Sequence, residues 1–443
     1  MLHFGTDGVR GVAIDELTPA LVRDLIRAVA RVLQPSAIVV GRDTRESGLA
    51  LERAVVDGCA AAGIPVHLMG VAPTPAIAFA AEHHDWVGVA ITASHNVWTD
   101  NGIKVFATGG IKLSDAEQIE IERDWHALTA EAAPVSLGSE FDASGVIAEY
   151  AQHRLNVVGA SLAGLTVVLD CANGAMSGVA PEVVRAAGAS VIVINDAPNG
   201  RNINENSGAT SLAALKAAVL SHKADVGIAF DGDGDRLKAV TAVGNEVDGD
   251  YIMAIAASDL MSRGLLRNKG VVVTVMSNLG FHKAMEAQGV DVVVTPVGDR
   301  NVLVALDEYD FVLGGEQSGH VVHKAHATTG DGLLAALILM EYMARKKTTL
   351  DEAVTVMQTY PQILLNVRTN ERMNDPASQI AEQIANAERE LGTDGRILVR
   401  ASGTEPLVRV MVEADTEQKA TRLAHELADA VIAVHGGHLE GAH

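Results

Sequence analysis

Along the chain, short β-branched and apolar runs alternate with longer stretches in which Ala and Leu recur at helical spacing. The first block reads as strand 37–41, helix 49–62, strand 66–70, helix 75–82 and strand 87–92. A second reads as strand 166–170, helix 179–187, strand 190–194 and strand 226–230. A third reads as strand 271–275, helix 279–287, strand 292–295, helix 300–308 and strand 311–313. Strands alternating with helices predict βαβ units and mainly parallel sheets. The fold class is therefore α/β, with three similar mixed α/β domains over 1–150, 151–250 and 251–362. Beyond Pro361 the rhythm changes to strand 363–368, a polar helix to about residue 391, strands 397–400 and 408–413, and a last helix. That predicts a C-terminal α+β domain over 363–435. The Gly- and His-rich residues 436–443 are expected to be a loose tail.

Composition narrows the function. Only 3% of the 443 residues are aromatic and 48% are apolar, so the cores must be built from Ala, Val and Leu. The formal net charge of −22 repels polyanions, which excludes nucleic acid and membrane surfaces as general partners. It would repel a phosphorylated small molecule too, so a site for one must gather cations locally. Cys59 and Cys171 form no C-x-x-C pair, and a reducing cytoplasm is the expected setting. The first residues lack a basic segment followed by an apolar one, so no signal peptide is expected. No apolar run approaches the roughly 18 residues of a membrane span.

Unusual polar clusters follow several of the predicted strands, and in open α/β sheets ligands bind beyond strand carboxyl ends. Thr92-Ala93-Ser94-His95-Asn96 places a hydroxyl where loop amides could hold a phosphate, although serine also fills ordinary turns there. His95 adjoins Ser94 in sequence, which does not by itself make it the partner base. Asp231-Gly232-Asp233-Gly234-Asp235-Arg236 alternates carboxylates with glycines that let the backbone curl, a pattern suited to a hard divalent cation. An EF-hand reading fails, because its sixth and twelfth positions would be Arg236 and Ala242. A phosphatase with Asp231 as nucleophile and Asp233 as acid matches locally and stays open. Gly314-Gly315-Glu316-Gln317-Ser318-Gly319-His320 offers an acceptor, a hydroxyl and an imidazole for sugar hydroxyls. Arg400-Ala401-Ser402-Gly403-Thr404-Glu405-Pro406, with Arg409 beyond, offers cations and loop donors for a phosphate. A fifth cluster, Phe4-Gly5-Thr6-Asp7-Gly8-Val9-Arg10-Gly11, carries a cation on a tight loop, and Lys104 lies ten residues after Ser94.

Taken in order, these five motifs resemble the phosphohexomutase family, from Phe4 to about Glu413. The resemblance implies four domains in a heart-shaped arrangement and a phosphorylated Ser94 that shuttles the phosphoryl group. It implies magnesium on Asp231, Asp233 and Asp235, with phospho-Ser94 as a further ligand. Arg10, Lys104 and His95 are then candidate catalytic groups. Arg236, Asp299, Arg300, Glu316, Ser318 and His320 are candidates for reading the sugar. Arg400, Ser402, Gly403, Thr404 and Arg409 are candidates for holding the phosphate that is not transferred. A glucosamine or glucose 1,6-bisphosphate would serve as intermediate or primer. A sugar phosphate is the implied partner, and a homodimer and an activating kinase stay open.

Within the family, Gln317, Asn202-Ile203-Asn204-Glu205, Ser277-Asn278-Leu279-Gly280 and Thr328-Thr329-Gly330-Asp331-Gly332 look most like the phosphoglucosamine mutase branch. Two departures stand out. Val97 occupies a position usually held by proline, which would stiffen the serine loop. Residues 321–327 lack an acidic residue that the resemblance leads one to expect. Phosphoglucomutase or phosphomannomutase activity, or sugar-phosphate binding without turnover, are the remaining alternatives.

Overall fold

The computed structural model describes residues 2–5, 8–128, 138–402 and 406–440. They form two compact units: Met1–Met276 with Gln288–Val356, and Ser277–Ala287 with Met357–His443.

The first unit holds three sheets. One runs Val9–Val12, Asp100–Ala107, Val87–Ile91, Ile38–Arg42, Val66–Val71 and Glu140–Asp142, with Ile111–Lys112 paired to Asp100–Ala107. The second runs Glu246–Val247, Leu237–Thr241, Val226–Phe230, Thr166–Asp170 and Ser190–Ile194. The third runs Asp291–Thr295, Gly270–Thr274, Leu313–Gly315 and Val321–His323. Central strands Val87–Ile91, Val226–Phe230 and Gly270–Thr274 are buried at every residue. Helices cover both faces of such strands, so unbroken apolar runs replace alternation.

Each sheet also has a feature the sequence pattern did not reveal. The strand after each polar cluster turns back antiparallel to the one before it. Asp100–Ala107 pairs with Val87–Ile91, Leu237–Thr241 with Val226–Phe230, and Val321–His323 with Leu313–Gly315. The three clusters are therefore hairpin tips. Asp100–Ala107 escaped notice because its first half is polar, yet Asn101 is 0% and Lys104 only 2% exposed. The strand expected at 311–313 lies at Leu313–Gly315 instead. Phe311 precedes it because its ring fills the space above Gly270, where an added Cβ would meet the ring at 1.9 Å.

The second unit is an antiparallel sheet ordered Gly395–Ala401, Leu407–Ala414, Gln362–Arg368 and His438–Leu439. Helices Ala381–Leu391 and Glu417–His435 supply Leu391, Leu423 and Leu427 to its core. Helix Leu279–Ala287, read from the sequence as part of the third block, belongs to this unit. Buried Glu413 accepts hydrogen bonds from Leu279 N (2.9 Å) and Arg396 Nε (3.0 Å), and Asn278 Nδ2 donates to Tyr360 O. The tail expected to be loose from 436 is tied down through Glu440. His438–Leu439 pairs with Gln362–Arg368, Glu440 N donates to Asn366 O, and Arg368 bonds the Glu440 carboxylate.

Burial makes the fold acid-sensitive. His323 is buried, and desolvation pushes its pKa down to about 3. The unfolded chain binds this proton near pH 6.5 while the fold resists it, so stability falls as pH drops from about 6.5 toward 3. Thermal melts across this window should show a falling Tm, with a shallower slope in His323→Leu. An unchanged slope in that variant would mean His323 is not the acid-sensitive group.

Candidate active site

Ser94 sits at the tip of the first hairpin with φ +54°, a left-handed conformation uncommon for serine. What holds it there is a buried frame. Arg45 pairs with Asp43 at 2.8 Å, and both side chains are fully buried. Its guanidinium donates to the carbonyls of Ser94 (3.0 Å), Asn96 (2.9 Å) and Asp100 (3.0 Å), and also to that of Val97. Asp43 accepts from Thr92 Oγ1, which in turn accepts from Ser94 N. Asn204 Nδ2 donates to the same carbonyls of Ser94 and Asn96. Arg45 thus performs at the Val97 carbonyl some of the fixing that a proline would do through φ.

The second hairpin tip meets the first. Ser94 Oγ donates to Asp231 Oδ2 at 2.6 Å, and Asp231 Oδ1 accepts from the amides of Gly234 and Arg236. Gly232 is packed so tightly that a Cβ would lie 2.7 Å from Ser94 O, so only glycine allows the approach. One carboxylate oxygen from each of Asp231, Asp233 and Asp235 lies within 4.8 Å of the others. Burial and the two neighbouring carboxylates push the Asp231 pKa well up. Burial acts the same way on Asp235, but Lys104, His320 and Arg236 outweigh it and hold that carboxyl well below its usual range. Oδ1 of Asp233 and Oδ1 of Asp235 are buried without a hydrogen-bond partner. Converging buried carboxylates with two orphaned oxygens fit a divalent cation, which would relieve both the repulsion and the missing bonds.

Other candidates gather around this pair of loops. Lys104 Nζ lies 2.9 Å from Asp233 Oδ2 and 3.0 Å from Asp235 Oδ2, and Thr74 Oγ1 donates to Asp233 Oδ2. Lys104 thus sets its amino group between two of the carboxylates. His95 faces Arg236 at 3.4 Å, whereas Ser94 Oγ is bonded to Asp231. Burial, with Arg236 and Arg10 nearby, pushes the His95 pKa down to about 4, so its ring is neutral at pH 7. From the third tip, Glu316 accepts from Gly298 N and Ser318 Oγ, and His320 Nδ1 lies 3.7 Å from Asp235. Gly330 N donates to His320 Nε2, which leaves the ring proton on Nδ1, toward Asp235. Arg10, Asp235, Arg236, Asp299, Glu316 and His320 border one cavity of about 440 Å³. Asp299 is paired with Lys112 at 2.8 Å. Arg300 points elsewhere, to exposed Asp115 at 2.5 Å.

In the second unit, Arg400 and Arg409 stand opposite each other across neighbouring strands. Among the described residues neither makes an ion pair, and burial with its twin's charge lowers the Arg400 pKa. Two adjacent cations with no counter-charge among the described residues suit an anion. Ser402 N donates to Leu407 O, closing the base of the loop. Gly403 and Thr404 lie outside the described residues.

Comparison with known proteins decides the family. Models of phosphoglucomutase/phosphomannomutase domains I, II, III and the C-terminal domain match residues 1–132, 148–244, 248–360 and 364–430. This chain belongs to the phosphoglucomutase/phosphomannomutase family. Its relatives include the phosphoglucosamine mutase of Thermobifida fusca, 50% identical over 437 residues and 97% of each chain. That of Mycolicibacterium paratuberculosis is 48% identical, over 97% of this chain and 99% of its own. Among solved structures, a phosphoglucomutase/phosphomannomutase family protein from Burkholderia thailandensis superposes with TM-score 0.81 at 23% identity, covering 98% of both chains. Aspergillus fumigatus N-acetylphosphoglucosamine mutase, in complex with GlcNAc-6P and magnesium, gives TM-score 0.68 at 19% identity, over 97% of this chain and 95% of that one. These likenesses establish the four-domain phosphohexomutase fold.

Within this family frame, the sequence motifs missed Asp43, Arg45 and Thr74. All three are polar residues just beyond strand ends, the same signal that marked Ser94. Two of the branch-like segments, Asn202–Glu205 and Thr328–Gly332, brace the site's side chains. Asn204 braces the serine loop. Gly330 orients His320, and Asp331 caps helix Gly332–Lys346 while pairing with buried Arg154 at 2.6 Å.

Proposed function

We propose that this chain is an intramolecular phosphotransferase that interconverts glucosamine 6-phosphate and glucosamine 1-phosphate through phospho-Ser94. The observation that carries the reading is the 2.6 Å bond between Ser94 Oγ and the carboxylate loop, in a chain half identical to phosphoglucosamine mutases along almost its whole length. In the first half-reaction the bond between phosphorus and Ser94 Oγ breaks and one forms to the free substrate hydroxyl; that hydroxyl loses its proton and the departing Ser94 Oγ gains one. The resulting 1,6-bisphosphate turns over, and its other phosphoryl group returns to Ser94 Oγ as the isomer leaves. Asp231, Asp233, Asp235 and phospho-Ser94 would hold magnesium, which neutralises charge on the transferring group when bound. Lys104 holds its amino group beside that group, bonded to Asp233 and Asp235. Arg10 and Arg236 line the cavity that would receive the sugar, with Glu316 and His320 as its hydroxyl readers and Ser318 steadying Glu316. Arg400, Ser402 and Arg409 would hold the other phosphate.

The phosphatase alternative is disfavoured because the relatives that match this chain along almost its whole length are phosphoglucosamine mutases; it predicts release of free phosphate and indifference to Ser94→Ala.

A side-by-side assay with magnesium and a trace of bisphosphate tests the substrate assignment. Glucosamine 6-phosphate should be preferred over glucose 1-phosphate and mannose 1-phosphate. Amine and hydroxyl are similar in size, so slow glucose-phosphate turnover should persist, within about 100-fold. Preferred turnover of a glucose or mannose phosphate would overturn the glucosamine assignment and leave the phosphoserine reading intact.

A further inference from the structure

We propose that His3, Glu122 and His126 form a second cation site, suited to zinc, which fastens the N-terminal segment to helix Asp115–Leu128. One donor atom from each of the three lies within 4.8 Å of the others. Ligand atoms on a tetrahedral zinc, bound at about 2.0–2.2 Å, stand roughly 3.3–3.6 Å apart, so side-chain rotation that closes the widest separation by about 1 Å and opens the short His3–Glu122 contact completes the set. Glu122 and His126 lie one helical turn apart on one face, the spacing at which two side chains reach a common point. His3 arrives from 119 residues away, with Nδ1 2.5 Å from Glu122 Oε1. The segment is already registered on the helix. Phe4 N donates to Glu122 Oε2 (3.0 Å), and His126 Nε2 lies 3.4 Å from Leu2 O.

Two imidazoles and one carboxylate select zinc over magnesium, which takes oxygen ligands. The helix itself is acidic, with Asp115, Glu117, Glu120, Glu122 and Asp124 against one arginine of its own, although Asp115 pairs with Arg300 and Asp124 with Arg31. His3 is largely exposed, leaving room for a water as fourth ligand. His3 also borders the 440 Å³ cavity beside Arg10 and Arg236, so zinc would pin one wall of that cavity. This site shares no ligand with the aspartate loop.

The test is equilibrium dialysis of the full-length protein against zinc, with saturating magnesium to occupy the aspartate loop. A parallel cobalt titration reads the visible bands of a four-coordinate site. One zinc per chain is expected, retained in Asp231→Asn. Losing an outer-shell partner typically weakens metal sites about 10–100-fold, so losing a ligand in Glu122→Gln or His126→Ala should exceed that. Zinc should also slow amide exchange at residues 2–5 of the wild type but not of these variants. Absence of zinc binding would overturn the site. So would binding that survives Glu122→Gln and His126→Ala and is lost only in His3→Ala, which would assign it to His3 and the N-terminal backbone alone.

Discussion

Ser94→Ala should lower mutase turnover by roughly 10⁴–10⁶-fold, the scale seen when a covalent nucleophile is removed. The fold should survive, because only one buried hydrogen bond is lost, and Asp231 keeps the amides of Gly234 and Arg236. Ser94 is 0% exposed in this state, its hydroxyl closed off by Asp231. Loading it with a phosphoryl group must open that bond and bring a strongly charged group against three carboxylates. Phosphorylation and cation binding at the loop should therefore be coupled. Incorporation of label from a bisphosphate should be abolished in the variant and should require magnesium in the wild type. Near-normal turnover in Ser94→Ala would remove the phosphoserine from the mechanism.

The second large effect is expected at a residue that makes no proposed contact with substrate. Arg45→Met leaves Asp43 as a buried charge without its partner and strips donors from the carbonyls of Ser94, Asn96, Val97 and Asp100. Breaking a buried ion pair from one side typically costs about 3–5 kcal/mol, and each orphaned buried acceptor adds to it. A marked drop in Tm should result, with turnover falling further than the loss of folded protein explains. The double variant Asp43→Asn/Arg45→Met separates the two effects. It should recover much of the stability, because no charge is stranded, but little of the activity, because the serine loop is still unheld. Full recovery of turnover in the double variant would show that Arg45 serves the fold and not the loop.

Much of this was legible in the sequence for a physical reason. Parallel strands covered on both faces must be apolar throughout, so polar clusters at their ends stand out, as at Ser94, Asp231 and Glu316. Strands 166–170, 190–194 and 226–230 fell where the pattern put them. What escaped were elements whose polarity serves the site. Asp100–Ala107 looks like a loop because Asn101 and Lys104 are polar, yet both are buried in a strand. Arg45 looks like one more surface arginine until its four carbonyl partners are seen. Arg300 shows the converse case. A cation near the right motif suggested a sugar contact, while the structure spends it on Asp115. Sequence proximity says which residue types are available, and only the fold says which way they face.

The three hairpin tips also bear on the order in which the protein acquires its parts. The bonds that fasten the second tip to the domain of the first sheet span long stretches of chain: 137 residues from Ser94 to Asp231, 129 from Lys104 to Asp233 and 159 from Thr74 to Asp233. Each sheet can close through shorter loops of its own, and the entropy of closing a loop grows with its length. The tips can meet only after their sheets have formed and docked. A chain emerging from the ribosome carries its serine loop for more than a hundred residues before the carboxylates exist. During that interval Ser94 has no Asp231 to cover its hydroxyl, and an unready serine stands open to solvent until the second sheet arrives.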